Sequence, residues 1–81
     1  MVCEIVGTRR VDKKDDKGDM HGYSVFVTHD EVGVMGVLAE KTFVRDDWIN
    51  QHLGGWVPNP GDMCEASFNR FGKLVIDAPI S

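Results

Sequence analysis

The chain has 81 residues, 42% of them hydrophobic and 27% charged, which is too apolar for a disordered protein and long enough for one small core. A net charge of −4 argues against the usual footprint of a polyanion binder, a basic patch on a basic domain, so any nucleic-acid contact has to be local. No run approaches the roughly 20 apolar residues of a membrane span, and Met1-Val2-Cys3-Glu4 lacks the basic start and apolar block of a leader, so a cytoplasmic protein with no membrane partner is expected.

Cys3 to Val11 reads as a first strand, with Cys3, Ile5 and Val11 on one face and Val2, Val6 and Thr8 on the other. Asp12-Lys13-Lys14-Asp15-Asp16-Lys17-Gly18-Asp19 carries no apolar residue and is expected to be a solvated, mobile loop. Through Asp19 five cations and five acids cancel, so the acidic excess lies later in the chain. Gly22 to Thr28 is a stronger strand: Tyr23, Val25 and Val27 alternate with Ser24, Phe26 and Thr28, which puts Phe26 outward. After a turn at His29-Asp30-Glu31, a third strand is expected from Val34 to Val44, with Gly33 and Gly36 marking a bulge or bend.

Asp46 to Leu53 has the signals of a short helix. Asp46 is the expected N-cap, Gly54-Gly55 the stop, and Ile49 and Leu53, four apart, share the inner face. Trp48 and Trp56 are expected to plug the end of a barrel, and Val57-Pro58-Asn59-Pro60-Gly61 is a rigid connector. A fourth strand then buries Cys64, Ala66 and Phe68, and a fifth contributes Leu74 and Ile76. The resulting order, β-β-β-α-β-β, predicts a single mainly β domain over residues 1–81: a five-stranded, OB-fold-like barrel with one short helix between strands 3 and 4. An SH3-like barrel is the nearest competitor, but it gives less reason for a helix at that point.

The candidate site begins at the last turn, Asn69-Arg70-Phe71-Gly72-Lys73. Asn69 and Gly72 suit turn geometry. Arg70, Phe71 and Lys73 are not required by it, and a ring flanked by cations is a minimal device for holding an unstacked base. Phe26 would extend a stacking path, and Arg9, Arg10, Lys13 and Lys14 would assist with phosphates. The competing reading folds Phe71 back onto the barrel rim, and a dimer contact would use the same residues. His21, His29 and His52 lack metal-ligand spacing, Cys3 and Cys64 read as buried free thiols, and no nucleophile or phosphate-loop motif is present. Neither an enzyme nor a metal or other cofactor is expected.

On Pro60-Gly61, Phe71-Gly72 and the closing Leu74-Val75-Ile76-Asp77, the C-terminal half resembles the single-stranded-DNA-binding proteins of filamentous bacteriophages. The charged segment leading to Tyr23-Ser24 matches more loosely. The chain also looks like small proteins of bacterial mobile elements that end in an Asn-Arg-Phe-Gly-Lys hairpin. The resemblance implies an OB-fold homodimer that coats single strands through aromatic and basic side chains. The chain departs from that pattern in its acidity and in having Tyr23 as its only tyrosine. A protein-interaction module without nucleic-acid binding is the alternative, and the acidity favours it.

Overall fold

Val25 and Val27 are completely buried while Phe26 between them is exposed, so the alternation of the second strand is the alternation between core and surface. Around that strand the computed structural model, which describes residues 1–80, builds one five-stranded antiparallel sheet. Its elements are β1 (Val2–Asp15), β2 (Gly18–His29), β3 (Leu38–Arg45), α1 (Asp46–His52), β4 (Met63–Phe68) and β5 (Leu74–Ile80), in the spatial order β3-β2-β1-β4-β5. The mainly β class, the five strands and the helix between strands 3 and 4 are therefore as the sequence implies. No helix among the described residues is long and apolar enough to cross a membrane.

The sheet rolls until its two edges face each other, but β3 and β5 share no backbone ladder, so the barrel is open along one seam. Two side chains bridge the gap. The Thr42 hydroxyl donates to the Leu74 carbonyl at 2.6 Å, and the Trp48 indole N–H donates to the Ile76 carbonyl at 2.8 Å. These satisfy edge carbonyls that a neighbouring strand would otherwise take. Trp48 and Trp56 both pack against the core, Trp48 at the open seam.

Ile5, Val25, Val27, Ile76, Cys3 and Cys64 form the centre of the core, with Ile49 and Leu53 covering it from the helix side. Each large aliphatic side chain buried here contributes about 1.5–3 kcal/mol. Cys3 and Cys64 are free thiols directly opposite each other on β1 and β4. Burial raises both thiols, Cys64 to about 11, so neither is an accessible thiolate at neutral pH.

Several local expectations are corrected. A register shift between Ile5 and Gly7 inverts the parity of β1, so Val11 faces away from Cys3 and Ile5. The charged segment is not a loop: β1 continues to Asp15, β2 starts at Gly18, and Asp16-Lys17 alone form the turn. Continuous pairing from Thr8–Val25 to Asp15–Gly18 overrides its polar composition, because ladder hydrogen bonds form regardless of side-chain polarity. The resulting arm helps to stretch the molecule to 43 Å along its longest axis.

The third strand begins at Leu38, four residues later than expected. Gly33 and Gly36, at φ of 89° and 90°, lie in the preceding loop, where left-handed backbone turns the chain rather than bending a strand. Asp46 is the first helical residue and makes no cap, because its carboxylate is held by Arg10. Phe68 is 48% exposed rather than buried with Cys64 and Ala66, since β4 runs off the end of the core there.

Candidate nucleic-acid interface

Cross-strand partners in a sheet share a face, so the register places the side chains of β1, β2 and β3 in rows. Gly7, Phe26 and Lys41 form one row, Arg9, Ser24 and Phe43 the next, and Val11, Gly22 and Arg45 the third, with Lys13 and Met20 beyond. The intervening rows carry Val25 and Val44 into the core, so the rows of Phe26 and Arg9 form the outer face.

Two glycines shape that face. The Phe26 ring lies over Gly7, with a carbon 3.6 Å from where a Cβ would stand, and the Phe43 ring reaches to 2.9 Å from the equivalent point on Gly22. Each ring thereby covers backbone of the neighbouring strand and presents its outer surface between cations. The Lys41 ammonium sits 5.8 Å from the centre of the Phe26 ring, within cation–π range. Arg9, Lys13, Lys41 and Arg45 make no ion pair among the described residues.

A cleft of about 560 Å³ lies among Arg9, Lys13, Phe26, Lys41 and Phe43, bordered on one side by Asp12. A second, also about 560 Å³, runs from Lys41, Phe43 and Arg45 to Asn69, Gly72 and Lys73, with Glu40 at its rim. The face of β1–β3 and the β4–β5 turn thus form one surface.

That turn is tightly built. The Asn69 side-chain oxygen accepts the backbone N–H groups of Phe71 at 2.9 Å and Lys73 at 3.0 Å, and Gly72 supplies the positive φ of 77° that the turn requires. Phe71 is 72% exposed, so it does not fold back onto the rim, and the Arg70 guanidinium lies 4.9 Å from its ring centre.

Six of the eight residues singled out from sequence, Arg70, Phe71, Lys73, Phe26, Arg9 and Lys13, lie on this face or at its hairpin. Lys14 and Arg10 do not. Lys14 stands opposite Asp19 with the parity of the other face. Arg10 grips Asp46 through two 2.8 Å hydrogen bonds and Asp12 through bonds of 2.8 and 3.1 Å, while lying 4.9 Å over the ring of Tyr23. It is a structural tie between the arm and the helix.

Sequence reasoning missed Lys41, Phe43 and Arg45. Their alternation with Thr42 and Val44 was the available signal, but only the pairing of β3 with β2 puts them beside Phe26.

The Arg10 tie has a pH signature. Hydrogen bonds from Arg10 and then His21 hold the Asp12 carboxyl down at about 2, and Arg10 holds Asp46 below its usual range. The bond to Asp12 raises His21 above its ordinary value of about 6.5. A raised His21 contributes stability that is complete below the unfolded value and is lost as pH rises through the folded one. The two depressed carboxylates contribute above their unfolded values and lose it as pH falls through their folded ones. An NMR titration should show His21 titrating above the ordinary value and moving down toward it in Asp12→Asn; an unchanged midpoint in that variant would show the Asp12–His21 bond to be absent.

Among the described residues no three His, Cys, Asp or Glu side chains are grouped to hold a metal ion. Comparison of the chain with protein-family models, curated proteins and solved structures returns no match, so the reading of this face stands on its geometry.

Proposed function

We propose that this protein is a non-enzymatic binder of single-stranded nucleic acid, as the resemblance to phage and mobile-element proteins implies. The observation that carries the reading is the set of rows on the outer face, where Phe26 and Phe43 lie among Arg9, Lys13, Lys41 and Arg45, none of them in an ion pair among the described residues, on a protein whose net charge is −4. A face that gathers unpaired cations around rings is suited to phosphates alternating with planar bases. Lys73 and Arg70 extend the cationic track, and Phe71 offers a further stacking surface. All these groups come from one chain, so a homodimer would lengthen the track without completing it.

The test is a titration of labelled oligo-dT at several salt concentrations. Four or five phosphate contacts should give a slope of log K against log salt of about −3, from roughly −0.7 per contact. Absence of binding at low salt would end the proposal, and binding with no salt dependence would remove phosphate recognition from it.

The loop between β2 and β3 favours a second reading, a protein-interaction module. Val32 and Met35 are completely exposed there and Val37 is 56% exposed, an apolar tip beside Asp30 and Glu31. Silence toward oligonucleotides, with a copurifying protein lost in a Val32→Ser, Met35→Ser variant, would select it.

A further inference from the structure

We infer that the open seam between β3 and β5 is a pocket for one nucleobase, turned off the path of the strand that crosses the outer face; this rests on the function proposed above. The seam holds a cleft of about 400 Å³ walled by Phe43, Trp48, Leu74 and Val75, with Arg45 and Asn69 also in its lining. That volume lies within the range of roughly 300–1,000 Å³ of cavities that enclose small ligands, and apolar walls with few polar groups are their usual make-up.

The cleft is continuous with the cationic surface. Phe43, Arg45, Asn69 and Val75 line both it and the neighbouring cleft that contains Lys41 and Lys73. A nucleotide lying there could keep its phosphate beside Arg45 or Lys73 while its base entered the slot. The Leu74 and Ile76 carbonyls at this edge are already taken by Thr42 and Trp48, so the Arg45 guanidinium and the Asn69 side-chain N–H groups are the polar groups of the lining that remain for the rim of a base.

The same geometry argues against a peptide strand as occupant. Strand addition would have to part β3 from β5, which the Thr42–Leu74 hydrogen bond ties together, and would displace Trp48 of α1 from the Ile76 carbonyl of β5. A neutral aliphatic ligand would leave Arg45 without an anionic partner. A planar ring attached to a phosphate matches both the walls and the cation.

The experiment is an NMR titration of the unmodified, isotope-labelled protein with oligo-dT. Expected are a shift of the Trp48 indole N–H signal and intermolecular contacts from thymine protons to the side chains of Leu74 and Val75. Val75→Phe, which narrows the slot, should weaken oligo-dT by about fivefold or more if one stacked base is lost. Binding that moves the signals of Phe26 and Lys41 but leaves Trp48, Leu74 and Val75 untouched would overturn the pocket and leave the proposed function standing. A spectrum unchanged throughout would remove both. Should Val75→Phe fail to fold, the contacts in the unmodified protein decide the matter.

Discussion

Alanine at both Phe26 and Phe71 is expected to weaken oligo-dT binding by at least about thirtyfold, because each ring can hold a base and base–aromatic stacking is worth about 1–3 kcal/mol per base. The two rings stand at different parts of the proposed surface, Phe26 on the sheet and Phe71 at the hairpin, so their losses should add. Both side chains are exposed, and the fold should survive with a stability change near the ±0.5 kcal/mol typical of surface sites. Phe68→Ala is the control. Phe68 is also exposed, but it packs edge-on to His29 with ring centres 6.4 Å apart, whereas Phe26 and Phe71 each stand beside a cation, Lys41 and Arg70. An equal loss of affinity in Phe68→Ala, or none in the double variant, measured by fluorescence anisotropy at fixed salt, would refute stacking on this face.

Gly22→Ala should be the most damaging single-methyl change in the sheet. A Cβ at Gly22 would collide with the Val44 carbonyl oxygen and lie 2.9 Å from the Arg45 Cα, both backbone atoms of β3, as well as 2.9 Å from the Phe43 ring. A side chain could rotate away, but a paired strand cannot. Relief requires β3 to move off β2, which breaks the ladder end and displaces Phe43 and Arg45 together. Overpacking of this kind costs about 1–3 kcal/mol and sometimes more, against a total stability of about 5–15 kcal/mol for such domains. At roughly 4–8 °C per kcal/mol for a chain of this size, the melting temperature should fall by about 10 °C. Gly7→Ala tests the explanation. Its Cβ would meet Phe26 carbons at 3.6 and 3.8 Å, ordinary contact distances, so its melting temperature should stay within a few degrees of the parent. Equal melting temperatures for the two variants would mean that β2 and β3 do not approach as closely as described.

The two glycines show how sequence and structure divide the information about this face. Neither Gly7 nor Gly22 carries a recognisable motif, and each looks like an ordinary interruption in a strand. With Phe26 opposite Gly7 and Phe43 diagonal to Gly22, they become the floor on which two rings lie. Arg9 and Arg10 make the same point. They are adjacent and chemically identical, yet parity sends one to the open face and the other into a pair of ion bridges with Asp12 and Asp46. Adjacent strand residues always part to opposite faces, but which of these two faces out is decided by the register shift after Ile5, where a single extra residue inverts everything that follows.

Local chemistry alone determined a good deal. Alternation of Tyr23, Val25 and Val27 with Ser24, Phe26 and Thr28 identified the second strand and its outward ring, the four-residue spacing of Ile49 and Leu53 set the inner face of the helix, and Asn69 with Gly72 defined the closing turn. Each depends on neighbours only a few residues apart, whose periodicity or backbone preference is written in the chain. The tertiary structure decided that a run of charges pairs into an arm, that Lys41, Phe43 and Arg45 stand beside Phe26, and that the barrel stays open between β3 and β5. Those outcomes follow from which strands meet and in what register. They are set by hydrogen bonds and burial between facing strands, and the composition of neither strand alone encodes them.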